Sequence, residues 1–190
     1  MTAASVAPSA RRAELLEAAY RYALEHGLAD LSLRPLATAI GSSPRVLLYL
    51  FESKEGLVRA LLARARADEL DLLATVDGGV GLALVAERVW AWLAADEHRA
   101  LLTLWVEAYA RSLVDPDGPW ADFARSTVAD WLAVLAAAQP AAERHTDTGL
   151  AERTQMLAVL RGALLDLLAT GDADRVGAAV RRHIAIGQSP

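Results

Sequence analysis

One stretch constrains this chain more than any other: SLRPLATAIGSSPRVLLYLFESKEGL, from Ser32 to Leu57. Ser32 is of a type that caps helices, and Leu33, Leu36, Ala37 and Ile40 recur at helical spacing until Gly41 stops the run. Ser43 then caps a second helix, with Pro44 at the first position, where a missing N–H costs nothing. That helix runs through Arg45-Val46-Leu47-Leu48-Tyr49-Leu50-Phe51. Two helices of about two turns joined across Gly41-Ser42 are the sequence form of a helix-turn-helix.

The rest of the chain reads as helix too. Apolar residues make up 54% of 190, Ala and Leu dominate, and β-branched alternation is scarce, so the expected class is all-α with about nine helices. Ser9 is expected to cap a first helix, about Ala10 to His26, with a stripe of Leu15, Leu16, Ala19, Tyr22 and Ala23. A fourth helix starts at Ser53 and carries Leu57, Leu61, Leu62 and Leu70 as far as the Asp77-Gly78-Gly79 break. A fifth, near Leu82 to Ala95, sets Leu82, Val85, Val89, Trp92 and Leu93 on one side. The sixth, Glu97 to Leu113 behind an Asp96 cap, ends at Asp115-Pro116-Asp117-Gly118-Pro119. Helices from Trp120 to about Gln139, Leu150 to Thr170, and Asp172 to about Ile186 complete the chain, with a polar loop at 140–149. The leucines 157, 160, 164 and 167 form a stripe that seeks a partner helix, within the chain or in a second copy. This divides the chain into a three-helix head at 1–52 and a helical-bundle body at 53–190.

Charge is unevenly spread. Residues 1–66 carry nine basic and six acidic side chains, a net +3, whereas residues 67–190 carry ten and 18, a net −8. A basic head on an acidic body is the asymmetry expected if only the head meets a polyanion. The absence of cysteine excludes disulfides, thiolate metal sites and cysteine nucleophiles. No apolar run reaches the ~18 residues that span a bilayer, and the start lacks a basic segment followed by an apolar one. A cytoplasmic protein with no membrane partner is expected.

The string from Arg12 to Leu61 resembles the TetR (tetracycline-repressor-like) family of transcriptional regulators. The residues that carry the resemblance are Ala18-Ala19, Gly27, Ser32-Leu33-Arg34, Leu36-Ala37 and Gly41, followed by Ser43, Leu47, Phe51, Lys54, Glu55 and Leu57. The resemblance implies a DNA-binding head on a helical body, homodimerisation through the last two helices, and a ligand cavity in the body whose occupancy releases operator DNA. The chain departs from the family where Leu-Tyr-x-His-Phe is usual. Leu48 holds the tyrosine place, Leu50 the histidine place, and Tyr49 stands one residue later, a rotation of about 100°.

Base reading by a helix needs polar side chains near its N-terminus, where Ser43, Pro44 and Arg45 stand. Arg45 has the fork that holds guanine O6 and N7. Ser32, Arg34 and Lys54, the sole lysine, lie at or beside helix starts, where backbone N–H groups and a side-chain donor jointly meet phosphate. Tyr49 is the aromatic candidate for DNA contact. Val46, Leu47, Leu48 and Leu50 cannot all face the core of so short a helix. Leu47 and Phe51 are the expected buried pair, and among the others one either touches thymine methyls or packs on a neighbouring helix.

All five tryptophans, 90, 92, 105, 120 and 131, lie in the body. Trp92, Trp105, Tyr109, Phe123, Thr127 and Trp131 are the candidate lining for a largely apolar ligand, with Glu107, Thr103 and Arg161 as further polar anchors. The four histidines lack metal-ligand spacing, and no Gly-rich phosphate loop follows a strand, so no catalytic residue, metal or cofactor is expected. The function expected is a sequence-specific, ligand-responsive repressor acting as a homodimer. The alternative is an all-helical protein that binds a hydrophobic small molecule and uses its head to bind protein.

Overall fold

The computed structural model describes the backbone over residues 8–28, 31–74 and 81–186, and side chains over 10–28, 31–68 and 81–186. Among these residues the chain is all-α, with nine helices and no strand. They are α1 (Pro8–His26), α2 (Leu33–Ala39), α3 (Pro44–Phe51), α4 (Lys54–Ala74), α5 (Leu82–Leu93), α6 (Arg99–Val114), α7 (Phe123–Ala138), α8 (Asp147–Thr170) and α9 (Ala173–Ile186).

Several expected boundaries move. Ser9 lies within α1 rather than capping it. Asp96 opens a single 3-10 turn, Asp96–His98, before α6, and its cap position is held by Ala95. Trp120 to Asp122 form turns, with Asp122 at a φ of 63°, so α7 begins only at Phe123. Thr146 accepts the Gly149 N–H and starts α8 three residues earlier than the apolar pattern implies. The side chain of Leu70 and the Asp77-Gly78-Gly79 break lie outside the described residues.

Two compact units emerge. The first comprises residues 1–68 together with 103–124. Here α1, α2 and α3 pack on one another, burying Leu15, Ala19, Ala23, Leu36, Ala37, Leu47 and Phe51. Tyr20, not Tyr22, is the buried tyrosine of α1; Tyr22 instead stacks on His26, with ring centres 4.0 Å apart. A ring with one polar tip can be buried only where that tip finds a partner. Tyr20 has one, since its hydroxyl donates to Asp68 Oδ2 at 2.8 Å.

The second unit comprises residues 69–102 and 125–190, in which α5, α8 and α9 pack mutually. The expected leucine stripe of α8 is buried there, at Leu157, Leu160, Leu164 and Leu167, against helices of the same chain. Gly171, at a φ of 70°, closes α8 by donating its N–H to Leu167, and Asp172 caps α9 through the Arg175 N–H at 3.0 Å. On α5 the fully turned-in tryptophan is Trp90; Trp92 is half-buried.

Candidate nucleic-acid interface

The interface is built around α3. Ser43 takes the N-cap position in extended conformation and its Oγ accepts the Val46 N–H at 3.3 Å, while Pro44 fills the first helical position. Gly41 makes the preceding turn at a φ of 64°, a region where a side chain is strained. Leu47 and Phe51 are buried, as their spacing requires, and Leu50 is half-buried. Arg45, Val46, Leu48 and Tyr49 remain exposed, Tyr49 at 78%. Arg45 and Tyr49 stand one turn apart and form the ridge of the outward face.

The C-terminus of α3 is held from a distance. Arg12 of α1 donates from Nε to the Leu50 carbonyl at 3.3 Å, and its guanidinium lies 4.9 Å from the centre of the Phe51 ring. A cation at a helix C-terminus meets the negative end of the dipole. The next residue, Glu52, takes a φ of 68°, and α4 begins at once with Ser53 Oγ accepting the Gly56 N–H at 2.9 Å. Gly56 is obligatory in this corner. A Cβ there would stand 2.0 Å from the Phe51 carbonyl oxygen.

Around this helix lie the expected phosphate contacts. Ser32 occupies the N-cap position of α2 in extended conformation and is exposed, but its hydroxyl makes no cap bond. Arg34 and Lys54 are exposed in the first turns of α2 and α4. Beside Lys54, hydrogen bonds from its own backbone N–H and from Ser53 hold the Glu55 carboxyl below its ordinary range.

A second polar assembly fixes α4 to α1. Asp68 accepts the Tyr20 hydroxyl and also Arg64 Nη1, while Arg64 Nε donates to Glu17 at 2.6 Å. The Arg64 guanidinium sits 5.0 Å from the Tyr20 ring centre. Burial first, and then the Asp68 carboxylate, push the Tyr20 phenol above its ordinary 10.0. Glu107 of α6 belongs to the same unit and accepts the Leu28 N–H on Oε2 at 2.9 Å, just beyond the turn at Gly27. Its other carboxylate oxygen is buried without a hydrogen bond.

Residues 15–61 match the family model described as bacterial regulatory proteins, tetR family. No match is found among curated proteins. Among solved structures, a putative TetR-family transcriptional regulator from Rhodococcus sp. is 21% identical, with 94% of this chain and 99% of that one covered at a TM-score of 0.76. A TetR transcription regulator from Haloarcula marismortui is also 21% identical, with 93% and 95% covered at 0.70. The multidrug binding protein EbrR, solved in complex with proflavin, is 24% identical, with 90% and 98% covered at 0.67.

Residues 15–61 thus match the tetR family of regulatory proteins, and the chain shares the fold of these TetR-family structures.

The six candidate ligand residues fall in both units. Trp105, Tyr109 and Phe123 lie in the first, where Trp105 stacks on Tyr109 with ring centres 5.1 Å apart. Trp92, Thr127 and Trp131 lie in the second. Trp92 stacks on His98 at 3.9 Å, and a His98 Nδ1 contact to the Trp92 carbonyl at 2.9 Å locks that pair. Thr127 is fully buried and its hydroxyl has no hydrogen-bond partner. Trp131, one turn on, is buried as well. A groove of about 390 Å³ between α5 and α9 is lined by Trp90, Ala91, Gly177, Val180, Arg181 and Ile184 among others, and includes none of the six. Among the described residues no group of acidic, His or Cys side chains is arranged to hold a metal, and no helix is long and apolar enough to cross a membrane.

The sequence reading missed Arg12, Tyr20, Arg64 and Asp68. Each acts through a partner 38 to 48 residues away, or through one that is itself so tied. The one available signal was the polar tip of Tyr20 beside the buried stripe of α1.

Proposed function

We propose that this chain is a transcriptional repressor that acts in the cytoplasm as a homodimer and leaves its operator when an apolar small molecule binds. The observation that carries the reading is the exposed Arg45–Tyr49 ridge, offered by a capped, proline-started helix inside the segment that matches the family model. Arg45 takes a base edge from the major groove, with Ser43, Pro44 and Tyr49 beside it. Ser32, Arg34 and Lys54 take phosphates and fix the register.

Dimerisation through α8 and α9 is supported by what those helices leave uncovered. Ala158, Gly162, Leu165 and Ala169 expose an apolar stripe on α8, and Ala178, Ala185 and Ile186 expose another on α9. Two heads then meet successive major grooves about 34–36 Å apart, and a ligand that favours a different spacing lowers the population able to bind. The orphaned Thr127 hydroxyl, one turn from Trp131, supports a ligand that is mostly apolar with one hydrogen-bonding group. Trp92 is the remaining aromatic candidate of that unit, and Trp105, Tyr109 and Phe123 are the aromatic candidates of the first. EbrR, which has this fold, was crystallised with proflavin.

The test is selection of duplexes from random sequence by the pure protein, followed by binding with two variants. Arg45→Ala narrows the gap between selected and random duplexes, by about 1–3 kcal/mol where the guanine pairing is lost. Lys54→Ala weakens binding on all sequences alike. Equal losses on every sequence for both variants refute this division of roles.

A further inference from the structure

The recognition helix carries an apolar surface that base reading by Arg45 does not use. At about 100° per residue, Leu48, Arg45, Tyr49 and Val46 follow one another around a single exposed arc of about 160°. Leu48 is 41% exposed, Val46 38% and Tyr49 78%, whereas Leu47 and Phe51 on the opposite side are buried. Aliphatic groups therefore flank the arginine on both sides. Water is a poor environment for them, and the helices of the first unit leave them outside.

Their setting identifies what covers them. Arg34, Arg45 and Lys54 are all exposed close by in the chain, and residues 1–66 carry a net +3 in a protein of net −5. An apolar face set among cations fits a polyanion that also has apolar features. On the major-groove edge of DNA, the one apolar group is the thymine 5-methyl.

We infer that Val46, Leu48 and the Tyr49 ring read thymine 5-methyl groups, so that the operator half-site carries thymines on both sides of the base taken by Arg45. The inference rests on the DNA-binding reading above. It assigns specificity to residues that form no hydrogen bond with a base. It also gives a physical role to leucine at position 48, where the family resemblance leads one to expect tyrosine.

The experiment uses the full chain and its selected duplex, with each half-site thymine replaced in turn by deoxyuridine. That exchange removes one methyl and leaves base pairing intact. Binding at fixed salt weakens about fourfold for each contacted methyl removed. Val46→Ala and Leu48→Ala each abolish the thymine-over-uracil preference at one position. Both side chains are exposed, so helical circular dichroism and melting stay as in the unaltered chain. Selected half-sites without thymine, equal binding of thymine and uracil duplexes throughout, or a preference unchanged in both variants overturns the inference while leaving DNA binding intact. Failure to retain any duplex, with capture of a protein through the same face, overturns the DNA-binding reading and this inference together.

Discussion

Replacing Tyr20 by Phe removes one oxygen from the first unit and leaves the ring in place. The hydroxyl is the donor in a 2.8 Å bond to Asp68, a carboxylate that also takes Arg64. A hydrogen bond to a charged partner contributes about 1.5–3 kcal/mol. Asp68 is 29% exposed in its side chain, so water recovers part of the loss and the low end, about 1.5 kcal/mol, applies. For a chain of this length each kcal/mol moves the melting point by about 2–4 °C, giving a fall of about 3–6 °C for the transition of the first unit.

The assay is a thermal melt followed by circular dichroism at pH 7, with Tyr22→Phe as control. Tyr22 is only half-buried and its ring rests on His26, so that variant stays within about 0.5 kcal/mol. A cycle with Asp68→Asn should show coupling of about 1 kcal/mol between the two changes. The pH dependence follows in sign. The folded phenol has its pKa raised above 10.0, so its contribution is complete below pH 10 and is lost as pH climbs above it, when only the unfolded chain releases the proton. The gap between wild type and Tyr20→Phe therefore closes above pH 10. Identical melting of Tyr20→Phe and Tyr22→Phe, or additive effects in the cycle, refutes the role given to this bond.

Two further outcomes concern the corner where α3 meets α4. Gly56→Ala forces a Cβ toward the Phe51 carbonyl oxygen and should destabilise the first unit by about 1–3 kcal/mol, read as lowered melting; an unchanged melting point would mean that the corner is slack. Arg12→Ala removes the cation from the Phe51 ring and the donor from Leu50, at about 0.5–1 kcal/mol. It should also weaken duplex binding by loosening the end of α3, and full retention of both stability and affinity would contradict that role.

What the sequence disclosed and what it concealed divide along a physical line. Ser43, Pro44, Gly41 and Ser53 act within three or four residues of themselves, and their capping and turning roles follow from residue type alone. Leu47 and Phe51 were legible because four residues on a short helix make one face. Arg12 was not, because periodicity assigns a residue to a face but names no partner on another helix. The same holds for Tyr20 with Asp68 and for Glu107 with Leu28. On α5 the apolar pattern placed Trp92 in the stripe, yet Trp90 turned inward, since Val85, Val89 and Leu93 fit a face that either tryptophan can border. The leucine stripe of α8 showed that a partner helix was needed and left its chain of origin open; it is buried against helices of its own chain.

The proposed hold of α3, Arg34 and Lys54 on DNA is tested most directly by the affinity of the full chain for its selected duplex across a range of salt. Neutralised phosphates release counterions, so the logarithm of affinity should fall linearly with the logarithm of salt, with a slope of about −0.9 for each phosphate contact. A steep slope that becomes shallower by about one contact per head in Lys54→Ala is the predicted result. Affinity that ignores salt, or no binding to any selected duplex at low salt, would contradict DNA binding through α3.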